Sequence, residues 1–390
     1  MKYTVLGIGA GGNKGAITLI EKGIISKEYV KLFNTTLKDV PDNYKDIAIH
    51  FASELGGSGK ERHTGYKAAV AAIQNGTLDI AQHINPDSQA VIIVTSTEGG
   101  TGSGATPAFA KYCLAMNLPV HVFALLGFED EVRGLKNTLS FFNDLDSNVI
   151  LHTIRNTSFL DYTGNRSTAE KAANDKFAED VLALTGSVMI PSAQNIDDKD
   201  MYKICCTPAY MDIEKVSLSG VKNEDLFNKA ISNTYDTICS LEFDKSVKRL
   251  GVIINASEKT VDAIDQNFEV VKRYIGEPYE TYTHIQYDNG EEYMYIFACG
   301  MNFPEEAIKE IAKKYEELNS KINRGTNSLQ AIFSDIDLSE EDDFNMGVKQ
   351  MKAPDVSKLF GTSSSVPVKK TSVSTEEVSG TIGVDDMNQY

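Results

Sequence analysis

Glycine is concentrated in three places where the missing side chain lets backbone N–H groups converge on an anion. The stretch GIGAGG holds Gly7, Gly9 and Gly12 in a G-x-G-x-x-G pattern, with Gly11 inside it and Asn13 just beyond. The stretch EGGTGSG places Gly99, Gly100, Gly102 and Gly104 among the hydroxyls of Thr101 and Ser103. A third, GGSGK, offers Gly56, Gly57 and Gly59 with Ser58 and Lys60. The chemistry such loops perform is phosphate binding, aided by the partial positive charge of a following helix. None is a Walker A loop, because no Gly-Lys-Ser/Thr closes it.

The first pattern is also a dinucleotide fingerprint, and that reading makes a demand that can be checked. An acid should close the second strand, about twenty residues after the loop, to hold the ribose hydroxyls. Here that strand ends FNTTLKD, offering Asn34, Thr35 and Thr36, with Asp39 several residues further on. The demand is not met. A dinucleotide needs one pyrophosphate cradle, whereas several glycine loops on one sheet edge suit a nucleoside triphosphate.

The elements that must carry these loops are legible from hydrophobic patterning. Apolar runs Tyr3–Leu6, Val30–Phe33, Ala90–Thr95, Val120–Leu126 and Val149–Thr153 alternate with helical stretches, the pattern of a parallel sheet covered by helices. The helix after the second glycine loop is expected to begin near Thr106-Pro107. Residues 167–188 read as one long helix with Ala169, Ala173, Phe177, Val181, Leu184 and Val188 on a single stripe, capped by Ser167 or Thr168. The second half has strand candidates Tyr210–Ser217, Leu250–Asn255, Thr281–Tyr287 and Tyr293–Ala298 around a helix near 224–241. Asp288-Asn289-Gly290 reads as a hairpin turn between the last two. A final helix is expected from Pro304 to Arg324-Gly325, packed against the second half. The expected division is a nucleotide-binding domain over 1–166, a connecting helix over 167–190, an α+β domain over 191–300, C-terminal helices over 301–345 and a disordered tail over 346–390. The acidic DIDLSEEDD before the tail reads as a solvated linker.

Bulk properties exclude several function classes. A formal net charge of −17 over 390 residues repels nucleic acid, so no direct DNA binding is expected. No apolar run reaches the length of a membrane span, and no membrane partner is expected. Five scattered cysteines, read as small buried side chains, point to a reducing, cytoplasmic setting. The histidines are dispersed and form no metal cage.

The motifs together resemble one family. EGGTGSGATPAFA is similar to the signature loop of the tubulin/FtsZ superfamily, usually GGGTGSG or GGGTGTG, and further motifs follow in the family order across roughly the first 300 residues. GIGAGGNKG resembles the first phosphate loop of FtsZ, including Asn13. FNTTLKDV resembles its NTD-type second loop, with Thr36 where an acid is usual. The resemblance implies a Rossmann-like GTPase domain, a central helix and an α+β domain binding GTP or GDP with Mg²⁺. It puts Gly11, Gly12, Asn13, Asn34, Gly57, Ser58, Gly59 and residues 99–104 around the nucleotide. GFEDEVRG resembles FtsZ's FEGxxR, which implies Glu129 on the ribose and Arg133 along the base. Asn156 in IRNTSFL and Asn174 in AEKAAND match asparagines at the base, the latter at the guanine edge. PSAQNIDDKDMY reads like the NxDxxD loop, which implies catalytic roles for Asn195, Asp197 and Asp200. Glu98 stands where the signature has its first glycine and brings a carboxylate near phosphates.

One inference is geometric. Helix is expected to run on for about a dozen residues past Asn174 before Pro191, roughly 20 Å of rise. With Asn174 at the base, as the resemblance implies, the acids are expected at the far end from the nucleotide of their own chain. There they could act only on that of a stacked second copy, a heterologous contact that grows filaments. The divergent second half and long tail resemble the TubZ branch, which moves plasmid or phage DNA in bacterial cells. That branch implies a DNA-binding adaptor of the TubR kind, engaged through the tail. A division-ring GTPase like FtsZ is the alternative, and an NAD-dependent oxidoreductase the remote one.

Overall fold

A computed structural model describes residues 1–330 apart from residue 193 and residues 237–239 and 266–268. The tail expected over 346–390 and the DIDLSEEDD linker lie outside the described residues. In the first half, strands and helices alternate as the apolar runs require: β1 (Tyr3–Ile8), α1 (Gly9–Glu21), β2 (Val30–Asn34), β3 (Ala48–His50), α2 (Arg62–Gln74), β4 (Ala90–Ser96), α3 (Thr101–Ala115), β5 (Val120–Leu126), α4 (Val132–Asp144), β6 (Ile150–Arg155) and α5 (Asn156–Thr163). The long α6 (Arg166–Thr185) follows. The second half then runs α7 (Asp198–Cys205), β7 (Ala209–Ser217), α8 (Glu224–Tyr235), β8 (Arg249–Asn255), α9 (Glu258–Asp265), α10 (Glu269–Ile275), β9 (Glu280–Gln286), β10 (Tyr293–Met301) and α11 (Glu305–Gln330).

All ten strands join one sheet in the order β3-β2-β1-β4-β5-β6-β7-β10-β8-β9. The first six take the doubly wound order, with β1 parallel to both β2 and β4. That arrangement opens a crevice beyond the carboxyl ends of β1 and β4, where chain connections leave in opposite directions. Helices cover both faces, and every residue of β1 and β5 is buried, as a parallel sheet requires. The two halves meet along the short parallel pairing of Ile150 with Ala209 and Leu151 with Tyr210.

Four local expectations are corrected. Asp288-Asn289-Gly290 connects β9 to β10, but these strands are not a hairpin: β10 pairs antiparallel with β7 and β8, and β8 separates it from β9. A turn signal sets chain reversal, while strand pairing is decided by which apolar faces pack. Helix α6 is capped by Asn165, whose side chain accepts from the Thr168 N–H at 2.9 Å, rather than by Ser167 or Thr168. Helix α3 starts at Thr101, inside the glycine loop, and carries Pro107 in its second turn. Finally, α11 packs against α4 of the first half. Its amphipathic stripe, with Ile311 buried, specifies that a face is covered but not by which element.

The orientation of α6 matters most for function. Its N-terminal half carries Asn174 toward the carboxyl edge of the sheet. Its last turn lies at the opposite edge, where the Thr185 carbonyl accepts from the amino terminus at 2.7 Å and the Leu184 carbonyl from the Tyr3 hydroxyl at 3.3 Å. Ala173, Phe177 and Val181 fix this course by packing into the core.

Candidate functional site: a phosphate cavity and a remote acidic loop

At the carboxyl edge lies a cavity of about 610 Å³, within the usual range of small-molecule sites. The three glycine stretches converge on it. Gly9 and Gly11 come from the start of α1, Gly99 to Gly102 from the start of α3, and Gly56 to Gly59 from the loop before α2. Two helices of 13 and 15 residues therefore aim their N-termini into one space. Each end carries partial positive charge equivalent to roughly half an elementary charge. Close approach explains the glycines. A Cβ on Gly12 would fall on the Val94 carbonyl, so only glycine lets α1 pack down onto β4.

The loops are tied together by buried groups. A chain of hydroxyls runs from Thr35 to Thr101 at 2.7 Å and from Thr101 to Ser58 at 3.0 Å. The buried Asn137 amide donates to the Lys60 carbonyl at 3.0 Å, the Glu98 carbonyl at 3.0 Å and the Gly99 carbonyl at 3.4 Å. At the end of β2, Asn34 is buried, its Oδ1 accepts from the Thr35 N–H, and its Nδ2 has no protein partner. A buried, unpaired donor on a cavity wall is costly unless a ligand satisfies it.

Of the residues expected at the nucleotide, Gly11, Asn34, Gly57, Ser58, Gly59, Gly99, Gly100, Thr101, Gly102, Asn156 and Asn174 line this cavity. Gly12 and Asn13 are buried behind it. Ser103 and Gly104 face inward along α3, with the Ser103 hydroxyl on the Gly99 carbonyl and Gly104 against α2.

Glu129 and Arg133, expected at the ribose and the base, are not among the residues that line this cavity. The Glu129 carboxylate is buried and bonded by Arg155 through Nε and a terminal nitrogen, both at 3.0 Å, and by Lys314 of α11 at 3.3 Å. Arg133 pairs with Glu61 at 2.6 Å. Neither lines the cavity; Glu131 does. Glu98 also lines the cavity, and its side chain occupies a slot between Gly127 and Gly134, where a Cβ on Gly127 would overlap its carboxylate. One Glu98 oxygen accepts the Glu129 N–H at 2.9 Å, and Glu129 takes a positive φ of 56°. Burial raises the Glu98 pKa, an effect opposed by the N–H groups of Glu129 and Phe128. In the same loop after β5, Glu131 lines the cavity. Lys14, Lys38, Asp39 and Glu170 also line the cavity without having been singled out as ligands. The signal for Asp39 was its position just after β2.

Asn195, Asp197 and Asp200 are brought together, but at the other edge. Asp197 caps α7 by accepting the Asp200 N–H at 2.8 Å. Asn195 accepts from the Ser192 N–H at 2.9 Å, and Asp200 faces Lys203 at 3.5 Å. Gln194 bridges to Ile285 of β9. Asn195 and Asp197 are exposed and Asp200 is partly so. None of the three lines the cavity of its own chain. Among the described residues, no three His, Cys, Asp or Glu side chains are grouped to hold a metal ion, and no helix is long and apolar enough to cross a membrane.

Comparison with known proteins bears on this architecture. No protein-family model matches the chain. The cell division protein FtsZ of Mycoplasmopsis pulmonis is 25% identical over 346 residues, 84% of each chain. TubZ of Clostridium botulinum phage c-st superposes with a TM-score of 0.65 at 18% identity, covering 82% of this chain and 99% of that one. The chain has the fold of the tubulin/FtsZ superfamily. A GTPγS-form protofilament of Bacillus thuringiensis serovar israelensis TubZ gives a TM-score of 0.66 at 16% identity, covering 84% of this chain and 94% of that one. Within this fold, Glu98 of the glycine loop packs against Gly127.

Proposed function

We propose that this chain binds GTP in the carboxyl-edge cavity, stacks head to tail and hydrolyses the nucleotide at the junction between subunits. The observation that carries the reading is the separation of two incomplete sites. A preorganised anion cavity lies at one edge of the sheet, and a solvent-facing acidic loop lies at the other. Translation of a second copy along the strand direction brings the two together, and the operation repeats without closing. In the stacked pair, the neighbour's Asp197 and Asp200 orient or polarise the attacking water, and Asn195 supports the loop. The glycine-loop N–H groups meanwhile stabilise charge on the phosphates. Positioning and charge stabilisation supply most of phosphoryl-transfer catalysis. Magnesium fits this site as an ion carried by phosphate oxygens and water, with few protein ligands, since no carboxylate cage is present among the described residues.

The solved neighbours that are TubZ, one of them a protofilament, support assembly, and the role in moving DNA follows from the resemblance of the sequence to the TubZ branch. The net charge favours an adaptor between filament and DNA, recruited through residues 346–390. The FtsZ relative supports a second reading, a division-ring GTPase with the same chemistry. Light scattering with sedimentation, in GTP, GDP, ATP or NAD, is the test. Polymer that forms with GTP and decays as phosphate is released supports the proposal. Absence of polymer with every nucleotide overturns it. Pelleting with an adaptor–DNA complex, as against a membrane-anchor protein, separates the two cellular roles.

A further inference from the structure

Glu129 is the meeting point of three elements beside the cavity. Its backbone takes a positive φ of 56°, and its N–H donates to Glu98 at 2.9 Å. A glutamate in the left-handed region is strained, and such strain persists where the surroundings over-determine it. Here they do. Arg155, at the end of β6, donates to both carboxylate oxygens at 3.0 Å, and the Lys314 ammonium of α11 lies 3.3 Å from Oε2. On either side of this node the chain reaches the cavity, at Glu131 two residues on and at Asn156 next to Arg155.

Helix α11 grips this node from outside. It follows β10 of the second half, where the Ala307 N–H donates to Glu242 at 3.2 Å, and it packs against α4. Helix α4 begins at Val132, the residue after Glu131. Contacts with α11 therefore lie on both flanks of Glu131, through Lys314 before it and through the helix pair after it. The Lys314–Glu129 pair is lopsided: the glutamate side chain is 5% exposed and the lysine side chain 43%. The lysine can leave for water while Arg155 keeps the carboxylate bonded, so opening the contact leaves no buried charge unpaired.

We propose that Lys314 is a positioning residue that latches α11 onto the loop after β5, so that docking of this helix slows the departure of nucleotide from the cavity. The proposal rests on the nucleotide reading of this cavity. With the latch closed, the wall that carries Glu131 and Asn156 is tied to α11 and stays in place around a ligand. With it open, Glu129 keeps Arg155 and Glu98 but loses that tie. The coupling is reciprocal: a nucleotide that favours the closed wall favours docked α11 by the same factor. The position of α11 thereby reports whether the cavity is filled. Water reaches the lysine side of the pair, which keeps the effect small.

Stopped-flow release of fluorescent GDP, with amide hydrogen exchange, tests this on the full chain in wild type, Lys314→Met, Lys314→Arg and Lys313→Met. Lys314→Met should release nucleotide about threefold faster with an unchanged association rate. Lys314→Arg should release at close to the wild-type rate. Lys313→Met removes the same charge from an exposed neighbour and should change neither rate. In wild type, nucleotide should slow amide exchange along residues 305–318, and Lys314→Met should lose most of that slowing. A lysine that only stabilised the helix would speed exchange equally with and without nucleotide. Wild-type release from Lys314→Met, an equal change in Lys313→Met, or wild-type exchange along α11 that ignores nucleotide would overturn the proposal. If wild type binds no fluorescent GDP, the nucleotide reading itself fails, and the latch as a control on nucleotide fails with it.

Discussion

At the carboxyl edge of the sheet, Asn137, Thr101 and Glu98 tie three loops together through buried hydrogen bonds before any ligand arrives. At the amino edge, Asn195 and Asp197 bond within their own segment, to Ser192 and to the backbone of Asp200, and remain exposed. The first region has the marks of a binding site, with its cost of ordering already met during folding. The second has the marks of a group that becomes useful only against another molecule. One rigid element joins them: α6 passes through the core and ties the geometry of one edge to that of the other.

The largest effect is expected at the acidic edge. Asp200→Ala should lower phosphate release per assembled subunit by about 100-fold or more while leaving GTP affinity within about twofold. Filaments of this variant should also persist longer in sedimentation assays. A comparable loss of nucleotide affinity would mean that the two edges are not separate sites.

At the cavity edge, two glycines differ in what they must avoid. Gly12→Ala places a methyl group on the Val94 carbonyl and should cost about 1–3 kcal/mol, read as a lower denaturation midpoint. A Cβ on Gly99 meets nothing within 4 Å. Gly99→Ala should therefore fold normally, and any loss of GTP affinity would report backbone approach to phosphate rather than packing.

Glu98→Gly restores the residue found at this position in the superfamily pattern, yet it should impair this chain. With the Gly127 slot empty, the Glu129 N–H loses its acceptor. Its amide should exchange with deuterium faster, and GTP affinity should fall several-fold, roughly 1 kcal/mol. Unchanged exchange at Glu129 would remove Glu98 from the role assigned to it.

The smallest effect concerns the link between the edges. Lys176 of α6 pairs with Asp180 at 2.7 Å and approaches Glu214 of β7 at 3.7 Å. Burial pushes the Asp180 carboxyl up to about 7, against the opposing pull of Lys176, and raises Asp212 and Glu214 as well. A carboxyl raised by folding binds its proton more tightly in the folded state. Its contribution to stability is therefore present below the unfolded value of 3.8 and is lost as pH rises toward 7. Asp180→Asn should raise the melting temperature at pH 8 by about 2–4 °C and change it little at pH 4.

Much of this was legible along the chain because it depends on local pattern. Continuous apolar runs give the buried strands, and the glycine clusters mark the turns between β1 and α1 and between β4 and α3. The spacing from Asn174 to Asp197 places the acids away from the cavity, since helical rise is fixed. The apparent G-x-G-x-x-G of residues 7–12 was legible too, but its meaning depended on the end of β2. There Asn34 and Asp39, not a ribose-binding acid at the strand end, face the cavity.

Sequence alone therefore determined the alternation of strands and helices, the glycine loops and the length of α6. Each follows from interactions within a few residues or from a repeating dihedral geometry. Tertiary structure decided that β10 enters between β7 and β8, that α11 lies on α4, and that Glu131 rather than Glu129 reaches the cavity. These outcomes turn on which distant surfaces meet. Periodicity reports that a face must be buried, and only packing selects what covers it. The Glu98 slot is the sharpest instance: a carboxylate can occupy the space beside Gly127 only after β4 and β5 have aligned side by side.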